Sequence, residues 1–274
     1  TKDLALKDIS FTIEPGEFIG IIGENNSGKS TLCQAIVGIV PHFYKGAYGG
    51  RILIDSQEIA NQSISDTCRT AGIVFQNPFN QVTGSKLTVY EEIAFGLENL
   101  GLTRKEMIKR IDYSLNLLDI YSYRNRNPFD LSGGQMQRMA IASIIAMQPE
   151  IIILDEPTSQ LDPQGSEEVF RAVQNLSHNG ITIITVEHKM EKIAAYSNRV
   201  MLLHDGSIIA FDSPQKIFSR DDLSSYGVIE PEFTRICKQL KLKDKSTGLY
   251  PVTLSEAKEA LKSIRMGGTN CAGN

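Results

Sequence analysis

Phe18-Ile19-Gly20-Ile21-Ile22 runs without a break into Gly23-Glu24-Asn25-Asn26-Ser27-Gly28-Lys29-Ser30, and Ser30 to Val37 then reads as a helix. No other stretch limits the possible folds as much. A continuous apolar run of this length reads as a strand buried on both faces. The glycines let backbone N–H groups converge on phosphate oxygens without Cβ obstruction, and the helix N-terminus adds its positive end. Gly23-x-x-x-x-Gly28-Lys29-Ser30 matches the phosphate-binding loop in full, and strand, loop, helix is the context that pattern requires. Lys29 is expected to reach the β- and γ-phosphates of a nucleoside triphosphate and Ser30 to hold Mg²⁺, with Asn25, Asn26, Ser27 and Thr31 completing the nucleotide loop.

Downstream, Ile151-Ile152-Ile153-Leu154 ends in Asp155-Glu156. A carboxylate at the C-terminal edge of a parallel sheet stands where ligands bind. There Asp155 can hold Mg²⁺, and Glu156 can act as general base on the attacking water or orient it. A solvated acidic loop fits poorly behind so apolar a strand.

Leu131-Ser132-Gly133-Gly134-Gln135 lies a short way upstream of that strand. Ser132 and Gln135 also fit a capping box, which is its purely structural reading. Capping alone leaves two glycines in a first helical turn unexplained, because they cost helix propensity. Close approach of a phosphate to the backbone of Gly133 and Gly134 would explain them. The chain then offers two anion-binding helix N-termini for one triphosphate tail.

The rest of the chain alternates strands and helices. Strands are expected over Leu4–Ile13, Gly49–Ile54, Ala71–Gln76 and Ile181–Val186, with a hairpin of Val200–Leu203 and Ile208–Ala210 around His204–Ser207. From about Leu87 to Tyr123 the pattern is helical: Thr103 to Glu106 has the capping-box form, and Met107, Ile111, Leu115 and Leu118 follow at helical spacing. A helix is expected from about Gly165 to Leu176, and two short ones over Pro231–Leu242 and Thr253–Ile264. Pro41 to Tyr44 reads as a loop towards an edge sheet, and 267–274 as a disordered tail.

Composition narrows the function. Lys+Arg of 28 against Asp+Glu of 32 leaves a formal charge of -4, with no basic footprint for nucleic acid. There is no apolar run of about 18 residues, so any membrane element must come from another subunit. Cys33, Cys68, Cys237 and Cys271 show no CxxC spacing and read as free thiols of a reducing cytosol. The chain starts at Thr1 rather than Met, and its N-terminus is read as cut or unresolved.

These motifs together, in this order from Gly16 to about Gly206, resemble the ATP-binding-cassette (ABC) ATPases. The resemblance implies a P-loop NTPase core of α/β class: a mainly parallel sheet, an antiparallel edge sheet, a helical insert and a short C-terminal helical extension. It places an ATPase domain over 1–220, with its helical subdomain at about 85–148, and a dimerisation extension over 221–266. It implies two subunits packed head to tail, with ATP between the P-loop of one and Ser132-Gly133-Gly134-Gln135 of the other. Gln76 would sense Mg²⁺ and water, Ser159-Gln160-Leu161-Asp162 would lie at the dimer seam, and His188 would touch the γ-phosphate. Glu187 stands before His188 where Thr or Ser is commoner, and no clear adenine-stacking aromatic is present, Phe11 being a poor substitute.

Phe75-Gln76-Asn77-Pro78-Phe79-Asn80-Gln81 and the tail from Gly227 to Thr253 are similar to the ATPase subunits of energy-coupling-factor (ECF) importers of vitamins, cobalt or nickel. The implied function is ATP hydrolysis powering import, by a peripheral subunit at the cytoplasmic face of the membrane. Its implied partners are a second ATPase subunit, identical or paralogous, an integral membrane coupling subunit and a substrate-binding membrane subunit. The alternative is a soluble ABC ATPase acting as a switch on nucleic acid or the ribosome. The compact insert, the single cassette and the acidic balance disfavour it.

Overall fold

The computed structural model describes residues 4–44 and 46–267. In chain order it contains β1 (Phe18–Ile22), α1 (Lys29–Ile36), α2 (Ile39–His42), β2 (Leu53–Ile54), β3 (Gln57–Glu58), α3 (Ile64–Thr70) and β4 (Ala71–Val74). Next come α4 (Val89–Asn99), α5 (Arg104–Leu117), α6 (Gly133–Met147), β5 (Ile151–Asp155), α7 (Pro163–His178) and β6 (Thr182–Val186). The described residues continue with α8 (Met190–Tyr196), β7 (Arg199–His204), β8 (Ser207–Asp212), α9 (Pro214–Phe218), α10 (Glu232–Gln239) and α11 (Leu254–Gly267). The contacts of the described residues divide them into two units: Phe11–Phe18 with Lys29–Val186, and 4–10 with Ile19–Gly28 and 187–267.

In the first unit β4, β5 and β6 pair in parallel, with Val74 opposite Leu154 and Asp155 opposite Val186. Parallel neighbours need crossover connections, and α4 to α6 and then α7 provide them. All four residues of β4 and all five of β6 are buried, so β-branched side chains fill both faces. Gly72 is required by packing: a Cβ there would lie 2.6 Å from Ile144 Cγ2 on α6. Helix α7 buries Val169, Phe170, Ala172, Val173 and Leu176 on one stripe, and Phe18 stacks on Phe170 with ring centroids 6.3 Å apart. The insert packs α4 and α5 on α6, through Ile111, Leu115 and Leu118 as the spacing predicts, with Met107 half-buried at its edge.

In the second unit Ile19 to Ile22 pair in parallel with β7, and β7 pairs antiparallel with β8. The predicted hairpin turn holds Asp205 at φ 46 and Gly206 at φ 77, the two positive angles of a tight hairpin. Ile22, Val200, Leu202, Ile217, Phe218 and Leu223 lie in its core. Helices α10 and α11 meet over Cys237, Leu242 and Ala257. Thr253 Oγ1 accepts from Glu256 N at 3.4 Å and Glu256 Oε2 accepts from Thr253 N at 3.2 Å, the reciprocal cap the sequence implies.

Three expectations need correction. Residues 4–14 form no strand: Asp8 sits at φ 49, which breaks an extended path, and Lys7 is tied instead to the hairpin turn through Gly206 O and Asp205. The strand expected over Gly49–Ile54 contracts to Leu53–Ile54, since Gly49 and Gly50 have nothing to pack against. Pro41 and His42 belong to the short kinked helix α2 rather than a loop, with His42 Nε2 3.3 Å from Ile59 O. Of the expected tail 267–274, Gly267 closes α11 and 268–274 lie outside the described residues.

Candidate nucleotide site

In the first unit the parallel register builds the carboxylate edge. Val74 stands opposite Leu154, so Gln76 and Glu156, each two positions beyond that pair, come side by side. Gln76 Nε2 donates to Glu156 Oε2 at 2.7 Å. Glu156 holds a left-handed backbone, φ 51, and its N–H donates to Val186 O at 3.0 Å. That turn lifts the side chain off the end of β5 while Asp155, still in the strand, stays buried. Lys29, the first residue of α1, is buried too, whereas Ser30 is exposed and Thr31 half-buried. Cys33, one turn along α1, feels both charges: burial pushes its thiol far above the usual range, Asp155 pushes it further, and Lys29 pulls the other way. Lys29 and Asp155 therefore share one electrostatic neighbourhood.

Ser132 caps α6 as the capping box predicts. Its Oγ accepts from Gln135 N at 3.3 Å, and Gln135 Oε1 accepts from Ser132 N at 3.0 Å. Ser132 is exposed, and the first turn carries no acidic residue. The glycines have a reason the sequence did not show. A Cβ on Gly134 would lie 3.1 Å from Leu161 Cδ2 and 3.4 Å from Gln160 O, and one on Gly133 would lie 3.3 Å from Gln160 Oε1. The Ser132–Gln135 turn is thus seated on Gln160 and Leu161 of its own chain. Arg138, one turn further along α6, reaches Leu118 O at 3.2 Å and Glu168 at 2.8 Å, tying α6 to α7. Asp162 caps α7 by accepting from Gly165 N at 2.7 Å. Only long-range packing reveals the roles of Arg138 and the Gln160–Leu161 seat.

In the second unit the glycine loop is moulded on β7 and the N-terminal segment. A Cβ on Gly23 (φ 150) would lie 2.1 Å from Leu203 O, and one on Gly28 (φ 102) 2.7 Å from Ala5 O. No other residue fits either position. Ser27 N donates to Glu24 O at 3.3 Å and Gly206 N to Ser27 O at 3.0 Å, which closes the turn, while Ser27 Oγ is buried without a hydrogen-bond partner. Glu24, Asn25 and Asn26 are exposed. Glu187 is buried, and its carboxylate folds forward to accept from His188 N at 3.1 Å and Lys189 N at 3.5 Å. It takes the place of the hydroxyl residue commoner there and fixes the backbone that carries His188.

The donor set fits a nucleotide with a hard divalent cation. The two glycines form a cradle that a Cβ would fill, and the buried Ser27 hydroxyl is an orphan within it. A hydroxyl (Ser30), a carboxamide oxygen (Gln76, whose nitrogen is turned to Glu156) and one carboxylate (Asp155) are the oxygen ligands Mg²⁺ prefers. Among the described residues no group of three or more His, Cys, Asp or Glu could hold a metal ion by itself. Such a sparse set suits Mg²⁺ that keeps waters and shares phosphates.

A strand-fed glycine loop, a buried lysine at the head of its helix and a buried aspartate ending a parallel strand define a P-loop nucleoside triphosphatase. Within that class, the sequence pattern of the ABC transporter family matches residues 6–159, and the chain belongs to that family. The energy-coupling factor transporter ATP-binding protein EcfA2 of Clostridium tetani is 40% identical over 275 residues, covering 97% of this chain and 93% of the relative. The structure of cbiO1 from Clostridium perfringens, part of the ABC transporter complex cbiONQ, superposes with a TM-score of 0.71 at 32% identity, covering 86% of this chain and 89% of that one. The dimeric ATP-binding cassette MJ0796 in a post-hydrolysis state with ADP and Pi does so at 0.67 and 28% identity, covering 77% and 90%. As an ABC ATPase the chain binds and hydrolyses ATP, and its α/β fold is that of the cassettes.

Proposed function

We propose that the chain is the ATPase subunit of an importer of the ECF type, working as a head-to-tail dimer at the cytoplasmic face of the membrane. The observation that carries the head-to-tail reading is the start of α6. It is an exposed, capped N-terminus of a 15-residue helix with two glycines and no acid in its first turn. Such an end attracts an anion. A second subunit's triphosphate, held in that subunit's own glycine loop, would complete it, with Ser132, Gly133 and Gly134 meeting the γ-phosphate and Gln135 holding the turn.

Within one chain, placement supports the following roles. Gly23, Gly28 and the N–H groups between them wrap the phosphates, with Asn25, Asn26, Ser27 and Thr31 around them, and buried Lys29 neutralises the β- and γ-oxygens. Ser30, Gln76 and Asp155 would hold Mg²⁺, which when bound supplies charge for the developing phosphate oxygens. Glu156 orients or deprotonates the attacking water, held in place by Gln76, and His188 contacts the γ-phosphate from a backbone fixed by Glu187. Most of the acceleration is positioning and charge stabilisation.

Coupling to transport is supported by a cleft of about 170 Å³ between the segment after Gln76 and the helical insert, lined by Val82, Ile93, Phe95, Met139, Ile144 and Met147 among others. Phe79, Leu87 and Phe129 stand exposed in the same segments. A short amphipathic helix of an integral membrane subunit fits that surface. The cassette would be a peripheral subunit, and among the described residues no helix is long and apolar enough to cross a membrane. EcfA2 and cbiO1, named for energy-coupling and cbiONQ transport complexes, support the ECF reading. The extension over 221–266 would brace the dimer through the exposed Ile229, Ile236 and Leu240.

Ser132→Arg tests the shared site. It should abolish ATP hydrolysis while the isolated monomer still binds ATP, because the damage lies in the neighbour's site. Loss of ATP binding by the monomer would count against the head-to-tail reading.

A further inference from the structure

The segment between the cassette and α10 meets the glycine loop at Gly227. A Cβ on Gly227, which sits at φ 66, would lie 2.8 Å from Glu24 Cβ and 3.6 Å from Glu24 Cα. Beside it, His204 Nδ1 is 3.0 Å from Glu24 Oε1, at an angle poor for a hydrogen bond, and the His204 ring stands edge-on to Tyr226 with centroids 5.2 Å apart. Glu24 is thus lodged between the end of β7 and the entrance to the extension.

Neither side of this contact can easily yield. Leu223 and Val228, flanking Tyr226 and Gly227, are buried in the same core as Ile22 and Leu202, and Ile22 is the residue that leads into Gly23. From the extension, Lys238 of α10 donates to Arg220 O at 2.6 Å and lies 3.6 Å from Glu230. Arg220 pairs with Asp222 at 2.6 Å and lies over the Tyr226 ring at 6.0 Å. On the loop side, Glu24 O accepts from Ser27 N, and Ser27 O accepts from Gly206 N. A displacement of Glu24 therefore moves the turn that presents Ser27 and Gly28.

We propose that Tyr226 and Gly227 are positioning residues for the phosphate loop: they hold Glu24, and through it the loop turn, so the seating of the C-terminal extension sets the affinity for ATP. The inference rests on the reading of Gly23 to Ser30 as the phosphate loop, which Lys29→Ala checks separately. Gly227 needs its missing side chain because the loop comes so close, and Tyr226 steadies His204 against the other side of Glu24. The extension, beyond bracing a dimer, would report its own seating to the nucleotide site of the same chain.

The test compares two glycines of equal backbone strain in the full-length chain. Gly227 (φ 66) meets Glu24, whereas a Cβ on Gly248 (φ 69) would have nothing within 4 Å. Titration with ATP and Mg²⁺ should show Gly227→Ala binding about tenfold more weakly and Gly248→Ala within about twofold of the parent. Adding Glu24→Gly to Gly227→Ala removes the opposing Cβ and should recover the part of the loss that comes from the clash, whereas a loss arising from strain at Gly227 alone would persist. Should Gly227→Ala fail to fold, Tyr226→Leu decides: affinity lower by about fivefold at an unchanged melting temperature supports the proposal, and unchanged affinity overturns it. Equal weakening in both glycine variants, or parental affinity in Gly227→Ala, also overturns it. If Lys29→Ala binds ATP as the parent does, the phosphate-loop reading itself has failed instead.

Discussion

Replacing Glu156 by Gln changes one atom pair in a site whose geometry is known. The left-handed φ of 51 costs an amide side chain what it costs an acid, so backbone strain is unchanged. The Gln76 Nε2 donor, now 2.7 Å from a carboxylate oxygen, can still find the amide oxygen of the substituted side chain. Losing the charge on that acceptor weakens the bond by about 1 kcal/mol, and the half-buried setting softens even this. Folding stability should therefore fall by no more than about 1 kcal/mol. Chemistry should suffer far more. A positioned general base contributes roughly 10²- to 10⁴-fold, equivalent to about 3–5 kcal/mol of barrier. Phosphate release at saturating ATP and Mg²⁺ should fall by that factor while ATP binding is kept. Size-exclusion chromatography with light scattering should then show an ATP-bound dimer that persists. Turnover within about threefold of the parent would refute the assignment of Glu156.

Three further outcomes follow from two groups outside the reaction. The Cys33 thiol, pushed up by burial and by Asp155, should stay protonated and unreactive towards a disulfide reagent near neutral pH, while the half-buried Cys68 reacts before it. Because the folded Cys33 lies above its ordinary value of 9.0, its contribution to stability is intact below that pH and is lost as pH rises beyond it, visible as a melting temperature that declines faster in the parent than in Cys33→Ala. Asp244 behaves in the opposite sense. Hydrogen bonds from Ser246 and Thr247 hold it at about 2, below its ordinary 3.8, so its contribution is complete above that value and disappears as pH falls towards about 2. Asp244→Asn should flatten the acid limb of the melting curve over that window, and an unchanged limb would remove Asp244 from the account.

Much of the candidate site is legible in the sequence. Local rules suffice for a strand entering a glycine loop, for Ile151 to Leu154 ending in a carboxylate pair, and for the Ser132/Gln135 cap. Each depends on residues a few positions apart. The failures came where a partner had to be supplied by distant chain. Leu4 to Ile13 alternates enough to be a strand, yet no strand pairs with it and Asp8 turns the backbone. Gly49 and Gly50 offered β-compatible chain but no side chains to pack.

The sequence by itself determined the residues available: a glycine loop fed by a strand and followed by Lys29, the oxygen-bearing side chains of Ser30, Gln76 and Asp155, the carboxylate of Glu156, and a second capped helix end with two glycines. These are short-range patterns, because backbone geometry and side-chain type act within a turn or a strand. Tertiary structure decided what those patterns lean on. Parallel pairing of β4 with β5 set Gln76 against Glu156, packing of α6 on α7 put Gly133 and Gly134 against Gln160 and Leu161, and the turn at Gly227 came to rest on Glu24. Close packing rather than composition sets such contacts. A missing Cβ is legible in a sequence, but the atom that would occupy its place is known only when the chain is folded.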